Sequence, residues 1–163
     1  FGGRVNLDRD ETTRGTGYRR LAGGAGWIVA SAAVETDTPP DNDFVAVAER
    51  FLNVAYLWGG RTSLGLDCSA LVQLSLMAAG VAAPRDTDLQ EAMLGTAVAE
   101  GPAEAYRRGD LVFWPGHVAI MIDGEHMIHA SGHHMSVVVE PVKTAVERIA
   151  ESLQPPSSVR RLA

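Results

Sequence analysis

One cysteine in 163 residues excludes an intrachain disulfide, a cysteine-based zinc site and a CxxC redox pair. Positive charge is also scarce. Fourteen Lys and Arg stand against twenty Asp and Glu, for a net charge of −6, and the only basic clusters are Arg19-Arg20, Arg107-Arg108 and Arg160-Arg161. No basic stripe exists to follow a phosphate backbone, which argues against nucleic acid as a partner. No apolar run is long enough for a membrane span. An initiator Met is missing too, and Phe1-Gly2-Gly3-Arg4 is no signal peptide, so the chain reads as a fragment whose start says little about export.

What is present is ordinary globular composition, 46% hydrophobic and 21% charged, enough for one core and a small extra module. Residues 1–35 are rich in Gly and Arg, and a β-hairpin is predicted from Tyr18–Ala22, a Gly23–Gly26 turn and Trp27–Ala30. Pro39-Pro40 closes a linker over 36–41. The main domain, 42–163, opens with a helix whose apolar positions are Phe44, Val45, Val47, Ala48, Phe51 and Leu52, capped by Asp41 or Asn42. A nearly continuous apolar helix over 68–79 ends at Gly80 and should be central and buried. A third helix follows Asp86 or Thr87 and closes at Gly95. From Gly109 the pattern turns to strands: Leu111–Trp114, His117–Ile122, His126–Ala130 and Met135–Glu140. A helix over Val142–Ile149 and a last edge strand near Val159 follow. Helices first and a meander sheet second make an α+β domain.

The lone thiol sits at a chemically loaded place. Cys68 follows the Gly-rich loop Tyr56–Asp67 and opens the apolar helix. Unpaired N–H groups at a helix start favour a thiolate, so the expectation is a thiol pKa below its free value of about 8.5. A cysteine nucleophile needs a base, and the base an orienting partner. All five histidines lie after residue 116. Centring the hairpin turn on Asp123-Gly124 puts His117 opposite roughly residue 130, one step from His129. Cys68, His117 and His129 therefore form a sensible nucleophile, base and orienter.

Three segments then carry a family resemblance. Tyr56-Leu57-Trp58-Gly59-Gly60 with Asp67-Cys68-Ser69, Arg108–Trp114 with Gly116–Ile120, and Met127–Ala130 resemble the nucleophile, base and third-residue motifs of NlpC/P60 cysteine peptidases. The resemblance covers about residues 41–161. It implies a papain-like core, helices packed on an antiparallel sheet, and hydrolysis of the γ-D-glutamyl–diamino acid (meso-diaminopimelate) bond of peptidoglycan stem peptides without a cofactor. Pro84–Gln90 resembles the subgroup that carries a bacterial SH3-type domain before the peptidase and takes peptides with a free N-terminal L-Ala. In that subgroup, positions matching Tyr56, Asp67, Ser69 and Thr87 line the substrate pocket. Residues 1–35 look like the tail of such an SH3-like β module, incomplete here.

Plainer roles stand beside these. Asp67 is equally suited to capping the helix. Asp110 suits a turn better than chemistry. His126, His129, His133 and His134 invite a metal reading, but His133 and His134 would point to opposite faces of a strand and no nearby carboxylate completes a set, so no metal is expected. An amidase or acyltransferase of papain-like type is the alternative enzyme, and an idle cell-wall binding module the alternative of another class. A pocket demanding a free L-Ala amine favours released muropeptides and hence recycling in the cytoplasm, with the periplasm or cell envelope as the other option.

Overall fold

The computed structural model describes residues 2–38, 40–98, 106–152 and 154–162; Pro39 of the expected linker lies outside them. The chain divides into two compact units, Gly2–Pro40 and the residues from Asp41 onward.

In the first unit, β1 (Leu7–Thr13), β2 (Thr16–Leu21) and β3 (Trp27–Val29) form an antiparallel sheet in chain order. The β2–β3 hairpin is the one the sequence predicts. The β1–β2 hairpin was not foreseen. Its turn residues, Arg14 and Gly15, both have positive φ (50° and 80°), the two-residue geometry usually signalled by Asn-Gly. Arg20 grips Asp8 through two hydrogen bonds of 2.8 Å, and Arg9 lies over the Trp27 ring at 5.1 Å.

The second unit begins with α1 (Phe44–Glu49), which buries Val45, Val47 and Ala48. Its cap is Asp43, whose carboxylate accepts from Val45 N (2.9 Å) and Ala46 N (3.2 Å), not Asp41 or Asn42. Only the residue directly before the first helical turn can reach those N–H groups. Asp41 instead pairs with Arg50 at the surface.

Next come β4 (Arg61–Thr62), β5 (Gly65–Leu66), α2 (Cys68–Ala78), α3 (Thr87–Met93) and β6 (Thr96–Ala97). The sheet proper has β7 (Leu111–Trp114), β8 (His117–Met121), β9 (His126–Ser131) and β10 (Ser136–Pro141), then α4 (Val142–Ser152) and β11 (Ser158–Arg161). Its order is β10-β9-β8-β7-β11-β6, antiparallel throughout. This is the expected α+β layout, with four helices among the described residues.

Both sheet faces are covered, which explains why β7 is apolar at every position. Leu111, Phe113, Val118, Ile120, Ile128, Ala130 and Val137 join one core with α1 and α2. Val112, Trp114, Ala119, Met121 and Met127 join a second core with Val142, Ala145 and Ile149 of α4. The all-round apolar α2 is the central helix, and it stops where Gly80 takes φ +75°.

β11 is not an edge strand. It lies between β7 and the two-residue β6, which is too short to leave a periodic signal. Asp110, 1% exposed, explains the docking: it accepts from Arg107 N (2.8 Å) inside its turn and takes Arg161 Nε (2.7 Å) and a second guanidinium nitrogen (2.6 Å) from β11. The turn role expected of Asp110 is thus joined by a tie to the C-terminal strand. Asp110→Ala should destabilise the domain by about 2 kcal/mol, since it removes a buried carboxylate that accepts from the part-buried Arg107 N–H and from Arg161 of β11. Urea denaturation of the two proteins checks it.

Candidate active site

The loop before α2 is built around backbone approach. Gly59 has φ +74°, and a Cβ on Gly60 would stand 2.6 Å from the Gly65 carbonyl oxygen, inside the small β4–β5 hairpin. Asp67 closes the loop. Its carboxylate accepts from Gly59 N (2.9 Å) on one side and from Ala70 N (2.9 Å) on the other, so one side chain holds the loop and caps α2. Cys68 is thereby fixed as the first residue of α2.

The thiol is 5% exposed. Its Sγ lies 4.0 Å from Thr87 Oγ1 and 4.0 Å from the carbonyl of Gly116, the residue before His117. The expected depression of its pKa is not what this environment produces. Burial pushes the thiol up, and the Asp67 charge adds to that. The N–H groups of Val118 and Ser69 and the Thr87 hydroxyl act in the opposite direction and are outweighed. A helix start lowers a thiol pKa only where the thiolate is not also starved of water.

His117 and His129 do come together. The hairpin bends half a residue later than expected: Ile120 pairs with Ile128 and Met121 with Met127, and Asp123 Oδ1 accepts from Glu125 N and His126 N (both 2.7 Å). That register puts both histidines on one face as diagonal neighbours. His117 Nε2 lies 2.7 Å from His129 Nδ1. The next atom along was not foreseen: His129 Nε2 lies 2.7 Å from Oε1 of Glu140 on β10, and Arg148 of α4 closes on that same oxygen. Burial, then the neighbouring His129, pushes His117 down to about 3. Burial also lowers His129, against the pull of Glu140. Glu140 sits at about 2, held ionised by His129 and Arg148 despite its burial. At neutral pH, thiol and imidazoles are neutral at rest.

The four expected pocket residues surround Cys68. Tyr56 is half-buried and its phenol is kept protonated by burial and by nearby Cys68 and Asp67, so it is a donor. Thr87 touches the thiol. Ser69 is nearly buried, its hydroxyl donating to Asp67 (3.2 Å) and accepting from Arg85 (2.8 Å). Arg85 and Gln90 are the residues without a role assigned from sequence. Arg85 binds both Asp67 oxygens (2.9 and 2.7 Å), and fully buried Gln90 donates to the carbonyls of Ser69 and Pro84 (both 2.9 Å). Their place in Pro84–Gln90, beside Thr87, was the available signal.

A carboxylate also completes a metal-capable group, contrary to the sequence reading: donors of His129, His134 and Glu140 lie within 4.8 Å of one another. These donor atoms are already engaged in hydrogen bonds or ion pairs, His129 Nε2 with Glu140, Glu140 with Arg148, and His134 Nδ1 with Ser131 Oγ at 3.0 Å. His133 and His134 fall in a turn rather than a strand, so their rings meet edge to face at 4.8 Å instead of pointing apart.

The family model for NlpC/P60 matches residues 53–150, the span that holds all of these groups. The chain belongs to the NlpC/P60 family. It is similar to "Dipeptidyl-peptidase 6" of Lysinibacillus sphaericus, at 31% identity over 77% of this chain and 49% of that protein. It is also similar to a γ-D-glutamyl-L-lysine dipeptidyl-peptidase of Bacillus cereus, at 31% over 66% of this chain and 33% of that protein. Among solved structures, an NlpC/P60 family protein from Bacillus cereus aligns over 98% of this chain and 53% of its own, with a TM-score of 0.72 and 25% identity. The peptidoglycan hydrolase RipB of Mycobacterium tuberculosis aligns over 73% of this chain and 62% of its own, with a TM-score of 0.59 and 32% identity. The chain thus spans half or less of the curated relatives it matches first.

Two outcomes follow for this NlpC/P60 domain. Alkylation of Cys68 by iodoacetamide should rise with pH along a curve whose midpoint lies above the roughly 8.5 of a free thiol. Stability should fall as pH drops below about 6.5, because the unfolded chain then binds protons that buried His117 and His129 refuse, and more steeply near pH 4, where unfolded-state carboxylates protonate and Glu140 does not. Thermal melts between pH 8 and 4 measure this.

Proposed function

We propose that this chain is a cysteine endopeptidase that hydrolyses the γ-D-glutamyl–diamino acid bond of peptidoglycan stem peptides. The observation that carries the reading is one thiol at the start of α2, 4.0 Å from the carbonyl of Gly116, the residue before His117, together with a histidine pair bonded at 2.7 Å, in an NlpC/P60 chain. The naming of relatives as γ-D-glutamyl-L-lysine dipeptidyl-peptidases supports the bond chosen.

In this reading Cys68 is the nucleophile, His117 the base and His129 its orienter. With thiol and imidazole both neutral at rest, His117 takes the thiol proton as Sγ attacks the D-glutamyl γ-carbonyl carbon, rather than before it. The tetrahedral intermediate expels the diamino acid amine, which leaves with that proton. Water, activated by His117, then cleaves the thioester and restores the thiol. Tyr56, a protonated donor near the thiol, suits the oxyanion. Thr87 and Ser69 supply hydroxyls to the pocket wall.

Recognition of a free L-Ala amine by Asp67 is the finer part of the proposal. An ammonium would join a carboxylate already neutralised by Arg85, so it gains less there than at a bare carboxylate. Residues 1–35 are read as part of an SH3-like module. Their three antiparallel strands, and a similarity to the Bacillus cereus structure that extends over nearly the whole chain, support this.

Mass spectrometry of L-Ala-γ-D-Glu-diaminopimelate incubated with the protein tests the reading. Cleavage after D-Glu, abolished in a folded Cys68→Ala variant, is the expected result. Cleavage of the unblocked peptide alone would assign an amine requirement, whereas equal cleavage of the N-acetylated peptide would remove Asp67 from substrate reading. A folded protein with a reactive thiol that cleaves neither would overturn the assigned bond.

A further inference from the structure

The hydrogen-bonded row does not stop at the second histidine. Four side chains from four elements stand in line: His117 (β8), His129 (β9), Glu140 (β10) and Arg148 (α4). His129 is 1% exposed, and the Glu140 side chain 11% exposed, so water has little access to substitute for either of these two. We propose that Glu140, clamped by Arg148, is a positioning residue that sets the tautomer of both histidines and so keeps His117 Nδ1 bare to receive the Cys68 proton. The proposal rests on the reading of Cys68 and His117 as nucleophile and base.

The argument follows the protons. A carboxylate only accepts, so the nitrogen facing Glu140, His129 Nε2, carries hydrogen. A neutral imidazole has one N–H, so His129 Nδ1 is bare and accepts. His117 Nε2, 2.7 Å away, is then the donor, and its own remaining nitrogen, Nδ1, is left with a lone pair. Without the carboxylate the row can run backwards. His129 Nδ1–H would donate to His117 Nε2, His117 would hold its proton on Nδ1, and that ring could not accept from a thiol there. The choice of tautomer two rings away is therefore made by one charged oxygen. Arg148 keeps that oxygen ionised and fixes its position.

Charge acts along the same row. Glu140 raises the proton affinity of His117 and His129, Arg148 lowers it, and His134, in the turn between β9 and β10, lowers that of His129. From α2 the group at this site is Cys68. Glu140 and Arg148 should therefore shift the base in opposite directions.

Nitrogen-15 NMR of the histidine rings in the intact protein at pH 7 tests the tautomers without any substrate. Protonated Nε2 and bare Nδ1 on both His117 and His129 are expected; a protonated His129 Nδ1 would overturn the proposal. Kinetics on the stem peptide test the consequence. Glu140→Gln, which keeps the shape but can donate as well as accept, should lower kcat by about tenfold or more with little change in KM. The acid limb of its kcat/KM profile should move to lower pH, and that of Arg148→Met to higher pH. Wild-type kcat in Glu140→Gln, or limbs that stay put in both variants, overturns the proposal and leaves the peptidase reading standing. A wild-type protein that cleaves no stem peptide overturns that reading instead, and the ring tautomers still decide what Glu140 does.

Discussion

The Asp67 carboxylate is the interaction on which the candidate site depends. Its two oxygens hold the Gly59 end of the loop, the first turn of α2, the Ser69 hydroxyl and the Arg85 guanidinium. The segment leading to α3 is thereby tied to the start of α2, which sets Thr87 against Cys68. Burial does not neutralise this carboxyl, because Arg85 and the two backbone N–H groups hold its pKa below the usual range. An acidic residue next to the Cys68 thiol opposes its ionisation. It is tolerated because Arg85 cancels most of its charge.

The sheet supplies the other half of the site by a different means. Strands buried on both faces are held rigidly, α2 against one side and α4 against the other. The row of polar groups from His117 to Arg148 sits at the edge of that apolar packing. Each buried member is satisfied by the next, which is how such a row is carried without a penalty for unpaired polar atoms. The same burial keeps thiol and imidazole neutral. In the proposed mechanism, proton transfer then belongs to the attack itself, and the tautomer of His117 becomes a determinant of competence rather than a detail.

Much of the fold was legible. The all-round apolar run after Cys68, the strand pattern from Leu111 and the turns at Pro115-Gly116 and Asp123-Gly124 carried their periodicity openly. Misreadings fell where geometry depends on one residue or on distant pairing. Asp43 rather than Asp41 or Asn42 caps α1, because reach to two N–H groups decides among three neighbouring polar residues. The β1–β2 turn uses Arg-Gly, which carries no strong turn signature. β11 was expected at an edge because the two residues of β6 that cover it show no pattern. At the site, Cys68, His117 and His129 were picked out by local motif. Arg85, Gln90, Glu140 and Arg148 were not, because what assigns them is a partner far along the chain.

By itself the sequence determined which residues are candidates: a lone thiol at a helix start, two histidines on consecutive strands later in the chain, and the NlpC/P60 pattern around them. Those are local facts, set by neighbours within a few positions. Only the tertiary structure decided their states. The thiol is raised rather than lowered, because desolvation is a property of the packed surroundings and outweighs the helix end. The half-residue shift in the β8–β9 turn decides that two histidines share a face. The charged end of their row comes from β10 and α4, which reach it only once the sheet and its covering helix have assembled.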